Sequence, residues 1–200
     1  MVLSDLWQTS REALEEKHVQ QIIGFAGEGK LLDGSSSSAD FRQFLTLIPF
    51  SMMERYAVEC ITGKFDSSGL ALQDIVNQIG ERLGFNVEHG RYRGVQGQPG
   101  QDGLWLMEDD KAIVVEVKTT AAYTVNLETQ VGYRKLLSET RQDVEQDTTS
   151  ILLVVGRQET SSLEAQIRGS RHAWGIRVIS VEALLRLLDL QEKLDDPEMF

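Results

Sequence analysis

The segment Ala112-Ile113-Val114-Val115-Glu116-Val117-Lys118 is an apolar run that ends with a glutamate and a lysine. Fourteen positions before Glu116 the chain reads Gln101-Asp102-Gly103, at the start of another apolar stretch. Burying unpaired charges costs several kcal/mol, so two carboxylates and a lysine in such segments need partners. A metal ion is one such partner, and carboxylate oxygens suit Mg²⁺. The fold and the chemistry therefore depend on whether these three side chains meet.

The order of predicted elements around this run indicates an α/β fold. From residue 67 the apolar periodicity predicts a helix over 70–83, strands over 85–89, 102–108 and 111–119, and a helix over 126–142. A covered strand over 151–156, a helix from Ser161 or Ser162 to about Trp174, a strand over 176–180 and a closing helix over 181–194 follow. This order predicts a mixed central β-sheet flanked by helices on both faces.

The first third of the chain is predicted to be a separate helical segment, residues 1–66, which mediates dimerisation or contacts a partner. Its expected helices cover 3–26, 41–47 and 51–61, and Asp40 is expected to cap the second of them. The serines Ser35 to Ser38 are expected to form a flexible linker between helices. Residues 67–200 are predicted to form the catalytic domain.

Length and composition indicate an ordinary globular chain. It has 200 residues, a formal net charge of −11 and a single cysteine. No apolar stretch approaches the roughly 20 residues that span a bilayer, and no signal-peptide pattern opens the chain. We therefore expect a cytoplasmic location. The acidic charge disfavours a non-specific nucleic-acid binder, although residues 67–181 are nearly balanced and could present a basic face.

A hairpin that turns at Asp109-Asp110 brings the charged residues to one end of the predicted sheet. In that register Asp102 lies opposite Val117, and Glu116 and Lys118 share one face because they are two residues apart. The two carboxylates and the Val117 carbonyl could hold Mg²⁺, with Mn²⁺ as a substitute. The lysine could orient a water or stabilise negative charge, which suits phosphodiester hydrolysis.

Asp102 and the Glu116-Val117-Lys118 strand, after a helix-Gly-Phe-strand entry, resemble the PD-(D/E)xK nuclease superfamily, which has the restriction-endonuclease-like fold. Mrr-type restriction endonucleases are the most similar branch, and the resemblance covers about residues 67–190. It implies that Asp102 and Glu116 ligate the metal and that Lys118 is the catalytic lysine. It also implies a fourth site residue in the preceding helix, at Gln73. The proline expected before the aspartate is replaced by Gln101.

Other residues could contact nucleic acid. Arg91, Arg93 and Arg134 could bind phosphates, and the pair Gln130 and Tyr133 resembles the glutamine–tyrosine motif of RecB-like exonucleases, with a spacing of three where four is usual. Gly94, Gly97 and Gly100 are expected to form a loop that delivers Asp102.

The resemblance implies a metal-dependent nuclease that acts on DNA more readily than RNA, as a restriction- or repair-type endonuclease. Cutting both strands of a duplex favours a homodimer or a larger complex. Three alternatives stay open: a non-catalytic nucleic-acid-binding or scaffold subunit of the same fold, a purely structural ion cluster, and a small-molecule-binding α/β protein.

Overall fold

The computed structural model describes residues 2–63, 65–107, 111–119, 125–156 and 160–194. The chain forms two compact units, Met1–Gln78 and Ile79–Phe200. The helices are α1 (Leu3–Glu15), α2 (Val19–Phe25), α3 (Ser36–Leu47), α4 (Phe50–Thr62), α5 (Ser68–Arg82), α6 (Leu127–Thr140), α7 (Ser161–Arg168) and α8 (Val181–Leu194). The strands are β1 (Asn86–His89), β2 (Gly103–Leu106), β3 (Ala112–Lys118), β4 (Thr149–Val155) and β5 (Ile176–Ser180). In the described residues, no helix is both long enough and apolar enough to cross a membrane.

The first unit is helical, as predicted, but its first helix is shorter than expected. The single helix predicted over residues 3–26 is broken between α1 and α2, where His18 is extended. Glu59 of α4 stabilises this break, because its carboxylate accepts from the Val19 N–H (2.7 Å) and lies 2.9 Å from His18 Nδ1. A side chain 40 residues away thus supplies the cap, which local periodicity does not reveal.

The prediction of a flexible serine linker is wrong. Ser35 is the N-cap of α3 and accepts from the Ser38 N–H at 3.2 Å. Ser37 and Ser38 are buried, and their hydroxyls bond to the backbone of Glu28 and Leu32. The serines therefore begin a helix and fix the preceding loop, because short hydroxyl side chains satisfy backbone groups at helix starts.

Asp40 does not cap its own helix, so that prediction is also wrong. It lies inside α3, and both of its carboxylate oxygens accept from the Leu3 N–H, at 2.8 and 3.0 Å. The carboxylate thereby satisfies an unpaired donor in the first turn of α1, where negative charge is also favoured by the helix dipole.

The second unit contains the predicted mixed sheet, and the α/β fold class is confirmed. The strand order is β1-β2-β3-β4-β5, in which β1, β2 and β3 pair antiparallel while β3, β4 and β5 pair parallel. The parallel pairs need crossovers, which α6 and α7 provide. The helix predicted to reach Trp174 is shorter than expected, because α7 ends at Arg168. The predicted serine cap is also wrong, because the N-cap of α7 is Thr160.

The two faces of the sheet are covered differently. One face carries an apolar cluster shared with α6 and α7, which includes Val114, Leu137, Leu153 and Ile167. On the other face Trp105 packs against Phe85, with ring centroids 5.2 Å apart. Gly80 lies directly against this indole, because a Cβ there would approach the Trp105 ring to 2.5 Å.

Candidate functional site

The β2–β3 hairpin brings Asp102 to the end of β3 that carries Glu116 and Lys118. The paired register ends where Gly103 faces Val115, and Asp102 lies directly before the first residue of β2. The sequence predicted that Asp102 lies opposite the region of Val117, and its carboxylate bonds to the Val117 N–H. The predicted turn at Asp109-Asp110 lies outside the described residues. The charge of Glu116 also acts on the Asp102 carboxyl, so the two carboxylates lie near each other.

The Asp102 side chain continues the ladder where the backbone of β2 stops. The Asp102 N–H donates to the Val115 carbonyl at 2.9 Å, and Asp102 Oδ2 accepts from the Val117 N–H at 2.7 Å. A carboxylate oxygen thus occupies the place of the next backbone acceptor. This contact holds Asp102 against the end of β3.

Glu116 and Lys118 lie on one face, as predicted, and their side chains form an ion pair. The Glu116 side chain is only 8 % exposed, whereas Lys118 is 41 % exposed. The second carboxylate oxygen of Glu116, Oε2, is buried and has no hydrogen-bond partner among the described residues. A buried anionic oxygen without a donor is costly, and it marks a place where a cation or a donor would bind.

The electrostatics of the cluster depend on burial. Burial, followed by the charge of Glu116, raises the pKa of Asp102 to about 7, against the opposing effects of the Val117 N–H and Lys118. Burial alone would lower the pKa of Lys118. The hydrogen bond to Glu116 and the charges of Glu116, Asp102 and Tyr133 raise the pKa of Lys118 by more than burial lowers it. The ammonium therefore stays protonated at neutral pH.

The donor set fits a hard divalent cation. Within the ranges that the structure describes, no group of three histidine, cysteine or acidic side chains could hold a metal. Mg²⁺ needs fewer, because it binds through one or two carboxylates and keeps several waters. The Val115 carbonyl points toward Asp102, and alternation along a strand directs the Val117 carbonyl to the same side. Asp102, Glu116 and the Val117 carbonyl are therefore the residues that would hold the ion.

Gly90 is a site residue that the sequence reasoning missed. Its N–H donates to the Asp102 carbonyl at 2.9 Å. A Cβ at this position would lie 2.0 Å from the Gln101 carbonyl oxygen and 2.6 Å from the Asp102 carbonyl carbon. Only glycine permits so close an approach of the two backbones. The sequence contains one indication of this role: a glycine directly follows the predicted strand over 85–89, ahead of the glycine-rich loop.

Under the prediction that this site hydrolyses phosphodiester bonds, we expect Gly90→Ala to lower the cleavage rate by about 10²-fold, because displacement of a reacting group by about 1 Å costs that much. The matched control is Gly94→Ala, since a Cβ at Gly94 meets no atom within 4 Å. Cleavage rates and circular dichroism of both variants provide the measurement. Equal rates for the two variants at equal folding would show that the close approach does not position Asp102.

The loop glycine Gly100 contacts the helix that flanks the site. A Cβ at Gly100 would lie 2.8 Å from the hydroxyl of Tyr133, and Tyr133 also interacts with Lys118. Gln130, one turn earlier in α6, is 4 % exposed, and its Oε1 has no partner among the described residues. The structure thus brings Tyr133 to the cluster and buries Gln130 on the same helix.

The remaining predicted site residues are Arg91, Arg93, Arg134 and Gln73. Arg91 and Arg93 are exposed in the loop between β1 and β2. The Arg134 guanidinium donates to the Thr149 carbonyl at 3.2 Å, and Thr149 pairs with Ala112, at the opposite end of β3 from Lys118. Six residues of strand span about 20 Å, so this contact does not bring Arg134 to the carboxylates. Gln73 is buried in α5, within the first compact unit, and its role stays a prediction.

Comparison with known proteins gives no family for this chain. No protein-family model matches it, and neither a curated protein nor a solved structure was found to match.

Proposed function

We propose that this chain is a metal-dependent nuclease that hydrolyses phosphodiester bonds, with DNA as the preferred substrate, and that it belongs to the PD-(D/E)xK superfamily as a restriction- or repair-type endonuclease. One observation carries the proposal: Asp102, Glu116 and Lys118 meet at the end of one hairpin, where the buried Glu116 Oε2 has no donor among the described residues. Buried ion clusters are a poor way to stabilise a sheet, so a binding role explains this arrangement better than a structural one.

The chain's residues suit distinct tasks in hydrolysis. Asp102 and Glu116, with the Val117 carbonyl, would hold Mg²⁺ or Mn²⁺. When bound, such an ion supplies an acidified water and neutralises charge on the phosphate oxygens. Lys118 stays protonated because its pKa is raised, so it acts as a donor to a phosphate oxygen or to the attacking water rather than as a proton acceptor.

The assembly and location of the protein follow as further proposals. Since duplex cleavage requires two active sites or two binding events, we propose that the chain forms a homodimer or is a component of a larger complex. We also propose that it is located in the cytoplasm. Sedimentation of the purified protein with and without duplex DNA would measure the assembly state.

A second function is favoured by the overall charge. The net charge of −11 suits a non-catalytic scaffold subunit of the same fold better than an enzyme that must approach a polyanion unaided. The two functions differ in their metal dependence. An enzyme should show a thermal shift with Mn²⁺ that Glu116→Ala removes, whereas a scaffold should show none.

The direct test is cleavage of circular DNA, linear DNA and RNA with Mg²⁺, with Mn²⁺ and with a chelator. We expect metal-dependent cleavage that Lys118→Ala lowers by about 10²-fold or more, the cost of removing one charge-stabilising donor. The matched control is Lys135→Ala, because Lys135 is 65 % exposed and pairs only loosely, at 3.7 Å, with Glu139. Full activity of the Lys118→Ala protein would refute the assignment of the site.

A further inference from the structure

Trp174 is by far the most exposed large apolar residue in the described ranges. It is 91 % exposed, while the other tryptophans, Trp7 and Trp105, are 8 % and 1 % exposed. Isolated exposed apolar residues are common and by themselves indicate nothing. The surroundings of Trp174 are what distinguish it.

The turn that carries Trp174 is firmly held. Arg177 Nη1 donates to the carbonyls of Ala173 (3.1 Å), Trp174 (3.2 Å) and Ile176 (2.9 Å). The Gly175 carbonyl accepts from the Ile151 N–H at 2.8 Å, which ties the turn to the start of β4. The indole is therefore presented to solvent on a fixed base, so little conformational entropy would be lost when a ligand stacks on it.

The segment that carries Trp174 is basic, in contrast to the chain as a whole. Residues 168–177 contain three arginines and no acidic residue, in a protein of net charge −11. The side chains of Arg168 and Arg171 are each 75 % exposed and pair with Glu164 (3.5 Å) and Glu128 (2.8 Å), which are exposed themselves. Exposed pairs contribute little to stability, so phosphate oxygens could replace these partners. The carbonyl acceptors of Arg177 are neutral and leave its positive charge available.

The Trp174 surface, the segment 168–177 that carries Trp174 and the three arginines, joins the sheet at the end away from the carboxylates. Ile176 pairs with Ile151 at the start of β4, whereas Lys118 pairs with Val155 at its end. Four residues of strand correspond to about 13 Å, and the two intervening strand spacings add to this separation. A ligand on this surface would therefore contact the protein outside the cleavage site.

We propose that the Trp174 surface binds single-stranded nucleic acid, with one unpaired base stacked on the indole and the flanking phosphates on the arginines. An exposed aromatic ring with adjacent cations is the arrangement that proteins use for unpaired strands, because every base has a face to stack while phosphates need positive charge. The choice of nucleic acid as the ligand rests on the proposed function. The surface would hold one strand of a substrate while the carboxylate cluster cuts elsewhere.

The test is binding of a labelled oligo(dT) of about 16 nucleotides to the full chain in chelator, by fluorescence anisotropy and by tryptophan emission. We expect quenching, because Trp174 is the exposed tryptophan, and a loss of affinity of roughly tenfold in Trp174→Ala. Trp174→Phe should retain most of the affinity, since it keeps a stacking ring. The control is Leu190→Ala, which removes another exposed apolar side chain, 54 % exposed on α8. Arg168→Ala and Arg171→Ala should each reduce the salt dependence of binding.

Two results would overturn the inference. One is equal oligonucleotide affinity of the wild-type and Trp174→Ala proteins, and a wild-type dimer that Trp174→Ala dissociates would then assign the indole to self-association. The other is equal affinity of the wild-type protein for blunt duplex and single strand. The experiment separates failure of the proposed binding by the Trp174 surface from failure of the proposed nuclease function. Binding that depends on Trp174 without cleavage would refute only the nuclease, and cleavage with a KM unaffected by Trp174→Ala would refute only the surface.

Discussion

Replacing Asp102 with asparagine should lower phosphodiester cleavage by at least about 10³-fold and, in the same protein, increase the stability of the fold at pH 8. The activity falls because a charged metal-binding oxygen is lost. The geometry should persist, since an asparagine oxygen can still accept from the Val117 N–H. The stability rises because burial and Glu116 make the ionised Asp102 carboxylate unfavourable in the folded state.

The pH dependence of this gain has a definite sign. The folded-state pKa of Asp102 is raised to about 7, so the folded protein binds this proton more tightly than the unfolded chain. The free energy of unfolding therefore falls as pH rises from about 4 to about 7, and the whole penalty is present above 7. We expect Asp102→Asn to be more stable than wild type by about 1–2 kcal/mol at pH 8 and indistinguishable near pH 4, allowing for the partial exposure of the side chain.

Urea unfolding in the presence of a chelator, at pH 8 and at pH 4, measures this effect. Asp147→Asn is the matched control, because Asp147 is exposed between α6 and β4. If the variant is less stable than wild type at pH 8, Asp102 stabilises the fold. The ion cluster would then be interpreted as a structural feature rather than as a catalytic site. Full cleavage activity in Asp102→Asn would exclude this carboxylate from the reaction.

Removing the Asp74 carboxylate should produce the largest loss of stability, about 2–4 kcal/mol for Asp74→Ala. The Asp74 side chain is fully buried and bonds to Arg42 Nε at 2.9 Å. Breaking one partner of a buried pair leaves the other charge uncompensated, which costs more than the pair contributed. Arg42 is 28 % exposed and can recover part of its hydration, so the loss should fall toward the lower part of that range.

A double-mutant cycle with Arg42→Met tests this explanation. If the cost arises from the stranded arginine, Arg42→Met should recover part of the stability lost in Asp74→Ala. Strictly additive losses would show that the other interactions of Asp74, rather than the ion pair, determine its effect. The exposed pair Arg168 and Glu164, 3.5 Å apart, is the control, since Glu164→Ala should change the free energy of unfolding by less than about 1 kcal/mol.

The elements of the second unit could be predicted because each has a strong local signal. The run from Ala112 to Lys118 is long, apolar and rich in β-branched residues, and it is a strand over that range. The closing helix over 181–194 agrees with α8 to the residue. Alternation along β3 also sufficed to place Glu116 and Lys118 on one face.

The serines and the residues near His18 could not be predicted, because their conformations depend on distant partners. A serine is common both in linkers and at helix starts, and only the backbone groups of Glu28 and Leu32 select the second role for Ser37 and Ser38. The break after α1 depends in the same way on Glu59 of α4.

By itself the sequence determined the α/β class, the order of strands and helices from residue 67, and the presence of two carboxylates and a lysine at one end of a hairpin. The tertiary structure alone decided the register that pairs Gly103 with Val115, the close approach of Gly90 and the burial that raises the pKa of Asp102. The reason is physical. Periodicity reflects which face of an element is buried, whereas register, close approach and desolvation depend on atoms that the fold brings together from separate parts of the chain.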